Sequence, residues 1–166
     1  DMAFFPSAPA REAFAAAGIP LLIGTQSLRS AEEFDLVMIS NAYTLELINL
    51  PYLLLNSGIP LWAGERGEGW PPLILGGSNA LAAQAVIRPD GDSMLDGIFF
   101  GEGEARAGQL TAILAPAGAE GKAAALRRAA AEVTGFWAAG DLHPEPSTVK
   151  AVCDLDPTRL ATAYPL

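Results

Sequence analysis

A chain of 166 residues is long enough for one domain with its own core. At 51% hydrophobic and 17% charged it is globular rather than disordered. A net charge of −9 argues against nucleic acid or an anionic membrane as the main partner, since both need a basic footprint.

No apolar run reaches the roughly 18 residues of a membrane span, so a soluble protein is expected. The opening "DMAFFPSAPAREAF" has no basic leader followed by an apolar stretch, so it does not read as a signal peptide. It starts on Asp rather than Met, and a fragment or processed piece is expected. Cys153 is the single cysteine, which excludes an internal disulfide and any iron–sulfur or structural zinc site built from cysteine. A reducing cytoplasm is the expected compartment.

In chain order, "AREAFAAAG" (10–18) reads as an alanine-rich helix stopped by Gly18. "IPLLIG" (19–24) reads as a short strand or extended segment. "FDLVMIS" (34–40) is the clearest strand, an aliphatic run of the kind covered on both faces. "TLELINLPYLLLNSG" (44–58) reads as a helix with Thr44 as N-cap, Gly58 as stop and a kink or break at Pro51. "PPLILGG" (71–77) and "DGIFFGEGE" (96–104) are the next strands, separated by a loop-rich stretch with one short helix at "ALAAQAV". Helices follow at 104–115 and 120–135. "GFWAAGD" (135–141) and "TVKAVCDL" (148–155) read as two further strands near an edge.

Strands alternating with helices predict an α/β fold: a three-layer, doubly wound, mostly parallel sheet of Rossmann or flavodoxin-like type. In such sheets the strands' C-terminal ends share one edge, and ligands sit beyond it. The residues that leave the strands are therefore the candidate site: "SNAYT" (40–44), "GGSNA" (76–80) and "GEGEA" (101–105). Ser40, Asn41 and Thr44 supply polar groups there. Helix capping is the plainer role for Ser40 and Thr44. Gly76 and Gly77, followed by Ser78, either admit a flat ligand or simply turn the chain.

"GEGEAR" resembles the first half of a dinucleotide fingerprint, but Arg106 stands where its third glycine belongs. Glu102 and Glu104 sit where a pyrophosphate would lie, and carboxylates there satisfy the helix N-terminus and repel phosphate. The turn of Gly101, Glu102, Gly103 and Glu104 therefore suits capping, or a hydroxyl or amide, rather than an anion.

Other polar residues carry less. His143, the only histidine, lies in a Pro-rich turn with no nucleophile motif nearby. "GERGEGW" (64–70) reads as an exposed loop with Glu65, Arg66, Glu68 and Trp70. Trp62 and Trp70 either cover a ligand or, more simply, pack on the domain. Asp90 and Asp92 resemble part of a calcium loop without its later ligands, so a turn is expected. Arg127 and Arg128 read as a solvated helix face.

The stretches "AFFPSAPAREAFAAAGIPL", "FDLVMISNAYTLELINLPYLLLNSGIPLWAGERGE", "PLILGGSNA" and "DGIFFGEGEA" are similar to the N-terminal, cobalamin-binding-type domain of radical S-adenosylmethionine (radical SAM) proteins. The resemblance covers most of residues 3–115. It implies a cobalamin-type α/β domain over 1–146, without the strand and helix that open it in family members, and a linker over 147–166 toward a catalytic domain. By position it implies a cobalamin cleft at Ser40, Thr44, Gly76 and Gly77, with Gly101–Glu104 beside it. Asn41 and Ser78 complete the candidate set.

The Asp-x-His-x-x-Gly motif that ligates cobalt is absent, so any cobalamin would bind without histidine ligation. The CxxxCxxC motif is absent too, so an iron–sulfur cluster and S-adenosylmethionine belong only to a catalytic domain outside this chain. The implied partner is that radical SAM barrel, in the same polypeptide. Two further readings stand beside a cobalamin-binding accessory domain. One is a degenerate domain serving as an interaction or substrate-presenting module, with Trp62, Trp70 and the acidic surface as contact face. The other is a free-standing flavodoxin-like enzyme, disfavoured because "FFPSAPA" lacks a hydroxyl-rich phosphate loop.

Overall fold

The computed structural model describes residues 1–101, 103, 106–117 and 121–140. Its centre is a sheet of four strands, β1 (Val37–Ser40), β2 (Leu73–Gly76), β3 (Gly97–Phe99) and β4 (Phe136–Ala138), in the order β1-β2-β3-β4. β1, β2 and β3 are parallel, with Ser40 opposite Gly76 and Leu75 opposite Ile98. The doubly wound, mostly parallel sheet predicted from the alternation is therefore present.

β4 departs from the expectation: it is antiparallel to β3, Phe99 facing Phe136 and Gly97 facing Ala138. Its C-terminal end lies at the opposite edge from the other three. The reason is local, since two helices, α3 (Ala107–Leu114) and α4 (Lys122–Glu132), lie between β3 and β4. A hairpin of two helices returns the chain to the edge it left.

Alternation along the strands splits the core in two. Leu73, Leu75, Ile98 and Trp137 face a cluster with Leu47, Leu50 and Leu54, contributed by α2 (Asn49–Leu55) and the turn before it. Ile74, Phe99 and Phe136 face Leu110, Leu114 and Leu126 of α3 and α4. Helices thus cover both faces. Each fully buried aliphatic side chain, such as Leu54, Leu73 or Leu114, contributes about 1.5–3 kcal/mol by leaving water.

Several boundaries move. The first helix, α1 (Ala8–Ala17), starts earlier than its alanine run suggested and ends, as expected, at Gly18 with φ 67°. The segment 19–24 is no sheet strand: Ile23 makes one isolated antiparallel bridge to Ser30, across the turn closed by Gly24 N–H to the Arg29 carbonyl. The predicted helix 44–58 is two pieces, a 3-10 turn Thr44–Ile48 and then α2. Pro51 occupies α2's first turn, where its missing N–H has no partner to lose. "ALAAQAV" is a 3-10 segment, Ala80–Val86. The predicted strand 148–155 and the linker 147–166 lie outside the described residues.

Candidate functional site

The parallel register places the exits of β1 and β2 side by side. The Asn41 N–H donates to the Gly76 carbonyl at 2.8 Å, one residue beyond the Ser40–Gly76 pair. β3 ends beside them, its Phe99 Cβ lying 3.9 Å from where a Gly76 side chain would begin. Gly101 follows two residues later. It is exposed, at φ 132°.

The rim between β1 and β2 is closed by its own side chains. Asn41, 2% exposed, donates through Nδ2 to the Tyr43 carbonyl at 2.9 Å and to Glu46 Oε2 at 3.3 Å. The same Glu46 oxygen accepts the Ala42 and Tyr43 N–H groups at 2.9 and 3.1 Å. Asn79 crosses from the β2 side: its N–H donates to the Asn41 carbonyl at 3.2 Å. Its Nδ2 donates to Thr44 Oγ1 at 2.9 Å and to Asn41 Oδ1 at 3.4 Å.

Gly77 is explained by this closure. It sits at φ 109°, and a Cβ there would lie 2.5 Å from the Asn41 carbonyl oxygen and 2.9 Å from its nitrogen. The space a ligand would need is filled by the neighbouring backbone. Gly76 has only ordinary contacts. Ser40, Thr44 and Ser78 are exposed, Thr44 as the acceptor for Asn79 rather than as a helix cap. Gly103 has open space around it and lends its carbonyl to the Arg106 and Ala107 N–H groups, the start of α3. Glu102 and Glu104 lie outside the described residues, as do His143 and Cys153. Sequence reasoning found Asn41 and Thr44 but missed Asn79 and Glu46. The motif "NAYTLE" places Glu46 three residues after Tyr43, the spacing at which a carboxylate folds back on a helix start, and that was the available signal.

Around this rim the surface is apolar. Tyr43, Leu45 and Ile48 are 72, 75 and 70% exposed, and Leu81 of the next 3-10 segment is 65% exposed. These two segments contact each other. The tryptophans do not form such a face. Trp70 is half-buried against the core, and Trp62 carries Arg88 over its ring at 5.0 Å. Asp90 and Asp92 form the expected turn, with the Arg88 N–H donating to the Asp92 carbonyl and the Gly91 N–H to that of Arg88.

The opposite end of the sheet holds a buried charge cluster in a loop that read as exposed. Arg66 is 3% exposed, Asp96 2% and Lys122 7%. Asp96 Oδ2 lies 3.1 Å from Arg66 Nη2 as an ion pair, accepts from Arg66 Nε at 3.2 Å, and accepts the Leu73 N–H at 2.9 Å. Lys122 Nζ pairs with Asp96 Oδ1 at 3.3 Å and donates to the Arg66 carbonyl at 2.9 Å. Arg66 Nη1 donates to the Pro60 and Leu61 carbonyls. The cluster ties the 60–68 loop, β3 and α4 together. Its groups are held by one another and by neighbouring backbone, with Arg66 Nη2 buried and joined to Asp96 by the ion pair without a hydrogen bond of its own.

Among the described residues no group of three or more His, Cys, Asp or Glu is placed to hold a metal ion. With one cysteine and one histidine, the sequence has no thiolate set for an iron–sulfur cluster. No described helix is long and apolar enough to cross a membrane. The closed Asn41–Asn79 rim does not fit the nucleotide tail of a cobalamin, because the Asn41 backbone and the Asn79–Thr44 hydrogen bond occupy the space beside Gly77.

No curated protein and no solved structure matches the chain. A family model does. Residues 1–138, which span the whole described sheet with the rim and the buried cluster, match the model described as radical SAM proteins, N-terminal. The chain therefore belongs to the radical SAM protein N-terminal family.

Proposed function

We propose that this chain is a non-catalytic accessory domain of a radical SAM polypeptide and that it works as a docking module for the catalytic domain of that polypeptide. The family match supports the first half. One observation carries the second: the strand-exit rim is sealed by Asn41, Asn79, Thr44 and Glu46 and is surrounded by exposed Tyr43, Leu45, Ile48 and Leu81. Large apolar side chains clustered beside a sealed ligand edge mark a contact surface rather than a pocket. Iron–sulfur and S-adenosylmethionine chemistry belongs, in this reading, to the catalytic domain. The boundary expected near residue 146 and the linker 147–166 remain part of the proposal.

Cobalamin held without histidine ligation is the competing use of the same rim, and one experiment separates the two. The full-length polypeptide and the 166-residue chain are each mixed with hydroxocobalamin and passed through a gel-filtration column. The docking reading expects both to elute colourless, with the Tyr43–Ile48 amides of the full-length polypeptide slow to exchange hydrogen. It further expects Leu45→Asp with Ile48→Asp to speed that exchange and to sensitise the interdomain segment to protease. A coloured, retained complex, or Tyr43–Ile48 amides that exchange equally fast in both proteins, overturns it.

A further inference from the structure

We infer that the outward seam of the 44–55 segment receives one α-helix of the catalytic domain, about three turns long and apolar along the contact. The inference rests on the docking reading and names the kind of element that docks.

The seam is Leu45, Ile48, Tyr52 and Leu55, which are 75, 70, 44 and 60% exposed. Their spacing along the chain is three, four, three. Leu47, Leu50 and Leu54, set between them, point the other way and sit in the core at 9, 4 and 0% exposure. α2, "NLPYLLL", is therefore apolar on both sides, with only Asn49 and the Tyr52 hydroxyl bringing polar side-chain atoms. A surface helix keeps its apolar residues to one stripe, whereas a helix apolar all round is a covered one.

Charge gives the same answer. From Asn41 to Gly64 the one charged side chain is Glu46. Its Oε2 is already engaged by the Ala42 and Tyr43 N–H groups. The chain is 17% charged overall, so this stretch is stripped of the charges a solvated face carries. A partner that bound through its own charges would find no complement here and would strand them away from water. The matching surface is apolar and uncharged.

The spacing selects a helix. Side chains three and four apart stand about one turn from each other, and the hollows between them take the side chains of a second helix laid alongside at a small crossing angle. A strand, whose side chains return to one face every second residue, does not follow that rhythm. At the rise of α and 3-10 turns, the path from Leu45 to Leu55 covers about 15–17 Å, the length of three α-turns. At one end of the seam the Phe5 ring lies 6.3 Å and the Arg11 guanidinium 5.7 Å from the Tyr52 ring. At the other end Tyr43 and Leu81 continue the apolar surface toward the sealed rim.

Area decides between a tethered partner and a second copy. The four seam side chains expose roughly 500 Å2, below the ~800 Å2 per partner of a stable complex between free molecules. A domain of the same polypeptide meets the seam at an effective concentration on the order of millimolar, and this smaller area then suffices. The family match supports a catalytic domain in that position.

Photo-cross-linking in the full-length polypeptide tests the inference. p-Benzoylphenylalanine is placed in turn at Tyr43, Leu45, Ile48, Tyr52, Leu55 and Leu81, all exposed in the domain, so its core is untouched. Mass spectrometry then locates the residues captured. The expected result is one stretch of the catalytic domain, captured from Leu45, Ile48, Tyr52 and Leu55 in forward or reverse order at residues three or four apart. Tyr52→Asp should cut the yields from Ile48 and Leu55 at least about tenfold, since docking would then bury a charge. Unchanged yields in that variant overturn the seam. Capture from Tyr43 and Leu81 but not from Tyr52 and Leu55 overturns the helix and leaves the docking reading standing. Capture at every second residue, or scattered over several segments, does the same. No capture in the catalytic domain from any of the six positions overturns both. Cross-links between copies that grow with concentration overturn the tethered partner.

Discussion

Gly77 and Gly76 stand together in the sequence and part company in the structure. Both read as either room for a flat ligand or a simple turn, but the space at Gly77 is taken by the Asn41 backbone, while Gly76 meets only ordinary contacts. Gly77→Ala should cost about 2 kcal/mol or more, from the φ of 109° and the 2.5 Å clash together, whereas Gly76→Ala should stay within about 0.5 kcal/mol. Urea midpoints compare the two directly. Asp96 is the second telling residue. Among the described residues it is the one carboxylate paired with two buried cations, Arg66 and Lys122. Asp96→Asn leaves both uncompensated and should cost about 3–5 kcal/mol. Asp90→Asn, which breaks the exposed pair with Arg88, should cost under about 1 kcal/mol by the same measurement. Nothing in "GERGEGW" or "LDGIFF" alone joins Arg66 to Asp96, 30 residues apart. A charged residue in a glycine-rich stretch reads as exposed until the fold supplies its partner.

Among the elements, the strands were legible and their ends were not. "FDLVMIS", "PPLILGG" and "DGIFFGEGE" each contain a strand because β-branched and aliphatic runs bounded by Pro and Gly can be covered on both faces. Each strand is shorter than its run, since pairing stops where the register with its neighbour stops. The helix at 44–58 was read as continuous from its apolar pattern, but Glu46 draws the first turn back onto Ala42 and Tyr43. Only then does α2 start, and it carries Leu54, with no exposed surface, into the core. Leu54→Ala should cost about 2–5 kcal/mol, measured by denaturant unfolding, because the packed sheet beneath cannot collapse into the space. The direction of β4 was invisible in "GFWAAGD". A strand's own sequence does not say which way it runs, and two helices in succession, α3 and α4, decided it.

On the scale of the molecule, charge and topology make separate statements. The chain carries an excess of nine negative charges, and two of its ten cations, Arg66 and Lys122, are buried with Asp96 rather than set among the surface carboxylates. Self-repulsion at low ionic strength should therefore lower stability. Raising sodium chloride from about 20 mM to about 300 mM should raise Tm by a few degrees, since the Debye length then falls well below the spacing of surface charges. A Tm that falls with salt would show that exposed ion pairs outweigh the repulsion. The family match, over residues 1–138, covers the whole of the described sheet.

By itself the sequence determined the fold class, the three parallel strands, the helices between them and the lack of a thiolate set for a cluster. Each of these follows from local periodicity, turn residues or simple counting. Only the tertiary structure decided that Gly77 packs on Asn41, that Arg66 is buried, and that β4 runs backwards. Those facts depend on which distant segments meet, and residues 30 or more apart carry no local mark of the neighbours that folding gives them.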